Sequence, residues 1–193
     1  GTLTVTNREA KYEITVKANS ATATYDGKEH EAVGVETYEF TVEGNSYTVS
    51  GLSTEDPKQK DAGSYTNNIT GTPVVTDKEG NVVTSEFEVK TENGSLEIGK
   101  AAVTLKSATL SKKYDGNALV NGDTALEVES GFAEGEGATY NFTGSQTVVG
   151  SSANAFSYEL NSNTNIDNYA ISKQEGTLTV TNREAKYEIT VKA

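Results

Sequence analysis

Apolar and polar residues alternate along most of this chain. Tyr12/Ile14/Val16, Tyr38/Phe40/Val42, Tyr47/Val49, Val103/Leu105, Leu126/Val128, Tyr140/Phe142, Phe156/Tyr158/Leu160 and Tyr187/Ile189/Val191 each set apolar side chains at every second position. A period of two brings them to one face of a strand, so each run predicts a half-buried antiparallel β-strand. Between the runs, Gly44-Asn45, Asp77-Lys78-Glu79-Gly80-Asn81, Glu92-Asn93-Gly94 and Asn121-Gly122-Asp123 supply residues that tolerate positive φ and predict turns. No window of twelve residues keeps a helical apolar period. The expected fold class is therefore all-β, built from small antiparallel, sandwich-like modules. A ubiquitin-like β-grasp with one short helix per module is the alternative.

Repetition organises these strands. Residues 1–18 (GTLTVTNREAKYEITVKA) and 176–193 are identical, a period of 175 residues and the mark of a tandem array. Inside that period Tyr25-Asp26-Gly27 recurs 89 residues later as Tyr114-Asp115-Gly116, and Gly94-Ser95-Leu96-Glu97-Ile98 recurs 82 residues later as Gly176-Thr177-Leu178-Thr179-Val180. Two related modules follow: A over 11–99 and B over 100–183, with B shorter by seven residues. The extra length of A is expected between residues 50 and 65, in the polar stretch Asp56-Pro57-Lys58-Gln59-Lys60. Residues 1–10 then read as the closing strand of a preceding module, and 184–193 as the opening strand of a following one. Thr2–Thr6 and Tyr187–Val191 duplicate strands that already have places, and are expected to be disordered or engaged with neighbouring molecules.

Composition narrows the function classes. There is no Cys, so neither a disulfide framework nor a thiolate metal site is available. The net charge is −12, and without the duplicated C-terminal copy one period carries 13 basic against 26 acidic residues. An array of such periods repels itself and suits neither nucleic acid nor anionic lipid as a partner. No run approaches the ~18 apolar residues of a membrane span, so no membrane insertion is expected.

Two sets of segments carry a family resemblance. In module B they are Lys113-Tyr114-Asp115-Gly116, Gly144-Ser145-Gln146-Thr147-Val148-Val149-Gly150-Ser151, and Asp167-Asn168-Tyr169 through Gly176-Thr177-Leu178-Thr179-Val180; in module A, Ala23-Thr24-Tyr25-Asp26-Gly27, Lys60-Asp61-Ala62-Gly63-Ser64-Tyr65 and Glu92 through Ile98. The chain resembles the YDG- and MBG-type repeats of large surface proteins of Gram-positive bacteria. Module A departs from the pattern at Ala23-Thr24, where a basic residue often precedes the triplet. The resemblance implies an exported, wall-attached, adhesin-like protein with these repeats as its stalk, no catalytic activity and no established ligand residues.

The candidate chemistry is sparse. His30, the single histidine, lies in the charged run Lys28-Glu29-His30-Glu31 and reads as solvated, so no general base is assigned. The Tyr-Asp-Gly triplets read as turns, with Asp capping through its carboxylate and Gly taking the positive φ. Asn161, Asn163, Asn165 and Asp167 alternate as oxygen donors do around Ca²⁺, but one charge among four suits an Asn-rich turn better. Most of the ten tyrosines fall on the apolar phase of strands, where packing explains them better than a sugar platform. Lys17 and Lys106 fall on the polar phase, which argues against an isopeptide crosslink. Catalytic, cofactor and metal residues are accordingly none, and the chain is expected to be a monomeric, non-enzymatic spacer. Its partners are neighbouring modules in an elongated rod, with a host glycan or protein ligand as the alternative.

Overall fold

The computed structural model describes residues 1–6, 9–122 and 125–192. The linker residues Asn7-Arg8, the turn residue Asp123 and the terminal Ala193 named above lie outside the described residues. The chain packs as two compact units, Gly1–Gly99 and Lys100–Ala193.

Unit 1 contains β1 (Tyr12–Lys17), β2 (Ala21–Thr24), β3 (His30–Glu31), β4 (Glu39–Val42), β5 (Asn45–Thr54), β6 (Lys58–Gln59), β7 (Gly63–Asn67), β8 (Ile69–Asp77), β9 (Phe87–Glu92) and β10 (Gly94–Gly99). Unit 2 contains β11 (Ala101–Lys106), β12 (Leu110–Lys113), β13 (Leu119–Val120), β14 (Val128–Ser130), β15 (Ala138–Phe142), β16 (Ser145–Gln146), β17 (Gly150–Ala153), β18 (Phe156–Leu160), β19 (Tyr169–Gln174) and β20 (Thr177–Thr181). The described residues contain no α-helix, only single 3-10 turns at Thr84–Glu86 and Ile166–Asn168, so the helix that a β-grasp requires is not among them.

The fold is all-β, but its sheets are mixed rather than purely antiparallel. β1 runs parallel to β9, with Tyr12 opposite Phe87 and Lys17 opposite Glu92, and β2 runs parallel to β10. The same happens in unit 2, where β11 is parallel to β19 and β12 to β20. Alternation along a single strand is the same for either direction, so the pattern predicted the buried faces and not the pairing. Burial follows it closely: in β1 Ile14 and Val16 are buried between exposed neighbours, and in β20 Leu178 and Val180 are.

In unit 1, Ile14, Val16 and Phe87 of the β1–β9 pair form one core with Val49 and Val75 of the β4-β5-β8 sheet, and Tyr47 meets Phe87 edge-on with ring centroids 4.8 Å apart. The β4–β5 hairpin closes through Glu43 (φ 49°) and Gly44 (φ 80°), two positive-φ residues in a two-residue loop, as the right-handed strand twist favours.

Five strand pairings recur one for one between the units: β1–β9 as β11–β19, β2–β10 as β12–β20, β7–β10 as β17–β20, β3–β6 as β13–β16, and β5–β8 as β15–β18. The sixth differs. β14 pairs with β11, whereas in unit 1 this contact shrinks to a bridge between Ala18 and Val35, and β4 pairs with β5 instead.

The extra length of unit 1 is not in Asp56–Lys60. The offset stays at 87 residues from Lys58/Ser145 through Gly63/Gly150 to Asn67/Asn154, then drops to 82 at Phe87/Tyr169. Five of the seven residues thus lie in the longer β8 and its Asp77–Asn81 turn. Lys58 and Gln59 are not a loose loop either, because they pair with His30 and Glu31.

The strand order places one tight crossing in each unit. β1 passes through Ala18-Asn19-Ser20 into β2 while its parallel partner β9 passes through Asn93 into β10, so both change sheets together. Gly94 sits at this point, where an added Cβ would come within 2.2 Å of the Asn19 carbonyl oxygen; Gly176 would come within 2.3 Å of that of Ala108. The Glu92-Asn93-Gly94 motif is therefore a close-approach site and not the positive-φ turn expected. We predict that Gly94→Ala and Gly176→Ala each lower stability to urea by about 2 kcal/mol, as overpacking against rigid backbone does. Gly99→Ala on the same strand, where a Cβ meets only the Ala23 oxygen at 3.7 Å, should stay within ~0.5 kcal/mol of the parent.

Candidate functional site

The crossing is also where buried polar groups converge. Asn67 ends β7 and is fully buried, and its Nδ2 donates to the Asn19 carbonyl at 3.1 Å while its Oδ1 accepts from the Asp56 N–H at 3.0 Å. Asn154, its counterpart 87 residues on, donates from Nδ2 to the Ala108 carbonyl at 2.9 Å and to Asn121 Oδ1 at 2.7 Å. In unit 2 Ser107 adds a second link, donating to the Asn154 carbonyl at 2.7 Å and accepting from the Gly176 N–H at 2.9 Å. Unit 1 has Ala18 at that position. A buried amide that satisfies backbone groups of two crossing segments is a fastener, and losing it would strand a carbonyl away from water. These asparagines were missed in the sequence, although Gly63-Ser64-Tyr65-Thr66-Asn67 and Gly150-Ser151-Ser152-Ala153-Asn154 share a Gly-Ser-x-x-Asn pattern that marks them.

The Tyr-Asp-Gly triplets are turns. Tyr25 and Tyr114 donate their N–H groups at 2.8 Å to the carbonyls of Gly99 and Thr181, each tying the triplet to the end of a closing strand. Asp26 Oδ1 accepts from the Lys28 N–H at 2.9 Å, Asp115 Oδ1 accepts from the Asn117 N–H at 2.9 Å, and Gly27 and Gly116 take φ values of 79° and 85°. Each aspartate holds a second group besides: His30 Nε2 lies 2.9 Å from Asp26 Oδ1, and Lys112 Nζ lies 2.8 Å from Asp115 Oδ1. His30 is thus a latch on its turn, within the short strand β3.

The Asn-rich stretch is spent in the same way. Asn165 Oδ1 accepts from the Asp167 N–H at 3.0 Å and starts the second 3-10 turn, and Asn163 Nδ2 donates to the Gly135 carbonyl at 2.8 Å. Among the described residues no three His, Asp or Glu side chains gather as metal ligands would. Lys17 and Lys106 lie at the surface in ion pairs, with Glu92 at 2.8 Å and Glu127 at 3.1 Å, so neither has the burial that an isopeptide bond requires.

Several tyrosines use their hydroxyls structurally: Tyr12 donates to Glu43 at 2.6 Å, Tyr65 to the Asp61 carbonyl at 3.0 Å, and Tyr169 to Glu136 at 2.8 Å. Burial, and then the Glu129 carboxylate, raise the Tyr140 phenol well above the usual range. One tyrosine-rimmed depression of about 450 Å³ is lined by Tyr114, Val149, Arg183, Lys186 and Tyr187. Comparison with known proteins gives no match to a family model, a curated protein or a solved structure.

The turn aspartates make acid the weak side of this fold. Backbone N–H donation, with the His30 contact, holds Asp26 below its ordinary value of 3.8; Asp56 is lowered by the N–H of Gly34 and the Thr54 hydroxyl, Asp77 by Asn81, and Asp115 by Lys112 and Asn117. A carboxylate with a depressed folded pKa contributes stability that is complete above the unfolded value and lost as pH falls through the folded one. The unfolding temperature should therefore hold above about pH 5 and fall progressively below about pH 4. The quadruple variant Asp26→Asn, Asp56→Asn, Asp77→Asn, Asp115→Asn keeps the turn acceptors and loses the titration, so its unfolding temperature should vary visibly less over that window in a melting series.

Proposed function

We propose that the chain is a spacer: a structural stretch of a tandem array that projects another domain from a bacterial surface and performs no catalysis itself. One observation carries the reading. The two units share little sequence, yet repeat the same five strand pairings and the same Gly-plus-Asn crossing at matching places. What the halves have in common maintains the fold: the close-approach glycine, the buried asparagine, and the turn aspartate with its glycine. A fold element is needed in every copy, whereas a binding site is needed in one.

The 175-residue identity supports the tandem arrangement, and the surplus of acidic residues in each period supports a soluble, self-repelling array. The short connection from β10 to β11 through Lys100 supports a stiff joint, since it holds no Gly, Ser or Pro run to act as a flexible tether. Extracellular, wall-attached placement rests on the resemblance to YDG- and MBG-type repeats.

A second reading, recognition of a host glycan, is favoured by the depression between Tyr114 and Tyr187, whose volume falls within the range of ligand sites. Part of its rim, from Asn182 to Tyr187, belongs to the duplicated segment. The equivalent of Tyr187 one period earlier is Tyr12, the first residue of β1.

The spacer reading is tested with chains of one, two and three 175-residue periods imaged by rotary-shadowing electron microscopy. Contour length is expected to rise by an equal increment per period. Particles that stay the same length as periods are added would contradict it, and saturable binding of neutral oligosaccharides abolished by Tyr114→Ala would favour the second reading.

A further inference from the structure

One 18-residue sequence has two fates in this chain. As residues 12–17 it is β1, with Ile14 and Val16 only 6% and 0% exposed; as residues 187–192 it forms no strand, and Ile189 and Val191 are 86% and 88% exposed. The other half of the sequence behaves in reverse: Leu178 and Val180 of β20 are 0% and 1% exposed, while Leu3 and Val5 are 100% and 98% exposed. The chain therefore carries a spare β1 at one end and a spare β20 at the other.

The two strands are not equally replaceable. β20 is the central strand of its sheet, hydrogen-bonded to β12 on one side and β17 on the other, so displacing it breaks two ladders. β1 has a ladder with β9 alone, and its other edge keeps only the Ala18–Val35 bridge. Its counterpart β11 is locked between β14 and β19. Among these four strands β1 is the one held on a single side.

We propose that the β1 place of unit 1 is a strand-acceptor site whose ligand is the segment Tyr187–Lys192 of a second copy of this chain. That segment enters parallel to β9 with Tyr187 opposite Phe87, Ile189 opposite Val89 and Lys192 opposite Glu92, and displaces the resident β1. Incoming and outgoing residues are the same, so every core contact and the Lys–Glu pair at the strand end are remade. The exchange is close to neutral in contacts and opposed only by the entropy of association, which keeps dilute chains monomeric. It becomes favourable where chains are held side by side at high effective concentration, as on a surface. Because donor and acceptor lie on different parts of the chain, the contact is head to tail and open-ended.

The test traps the register in the full chain, which has no native cysteine. Val89→Cys combined with Ile189→Cys places thiols at positions that face each other when the tail occupies the site, since Ile14 and Val89 are strand partners. Val89→Cys with Glu188→Cys is the control, equally exposed in the tail but one residue out of register. Under mild oxidation the 189 pair is expected to give covalent dimers and longer ladders on a non-reducing gel, and the 188 pair at least tenfold less. Equal trapping of both pairs, no trapping, or trapping only within one chain would each overturn the proposal. An independent arm weakens the resident strand. Val16→Asp alone should produce concentration-dependent oligomers in sedimentation velocity, and adding Val191→Asp should abolish them. A Val16→Asp chain that stays monomeric, or a double variant that still associates, would equally overturn it.

Discussion

Each unit depends on a single backbone contact, in which the carbonyl of Asn19 or Ala108 is pressed against a glycine and capped by a buried asparagine amide. Two parallel strand pairs must change sheets at the same point, which brings backbone against backbone with no room for a side chain. Carbonyls turned away from their ladders at such a point need another donor, and in the interior only a protein group can supply it. The asparagine supplies it, and the strands it fixes carry the buried residues on both sides: Ile14, Val16 and Phe87 before the crossing, Leu96 and Ile98 after it.

The two units satisfy the same constraint by different means. In unit 1 the Asn67 amide is bonded at both ends, and Asp56 serves it by adopting a positive φ of 51°, uncommon for a residue with a side chain. In unit 2 the Ser107 hydroxyl takes over part of the linkage, joining the strand of Asn154 to that of Gly176. Divergence has been tolerated in hairpin length, as in β8 against β18, and not at the crossing.

Much of this was legible in the sequence, and the limits have physical causes. Alternation gave the strands and their buried faces because period two is a local property. It did not give the parallel pairing of β1 with β9, which depends on a partner some seventy residues away. The triplets were readable as turns because Asp and Gly act within their own four residues. Gly94 was misread as a turn glycine, since local sequence does not reveal that a distant carbonyl approaches it. Tyr187–Val191 shows the same limit from the other side: its alternation is that of β1, letter for letter, and it forms no strand because the ladder that would hold it is already occupied. Of the candidate sites, His30, the lysines and the Asn-rich stretch proved to be committed to turns or surface ion pairs.

Native-state hydrogen exchange measures the central claim directly, because protection reports the free energy needed to open each amide. If the crossing holds the unit, amides of β9, β10, β19 and β20 and those of Asn67 and Asn154 exchange last, in a common opening that matches global unfolding. The β5–β8 and β15–β18 hairpins should open earlier, and residues 2–6 and 187–192 should show almost no protection. Hairpin amides that outlast those at the crossing would contradict the account.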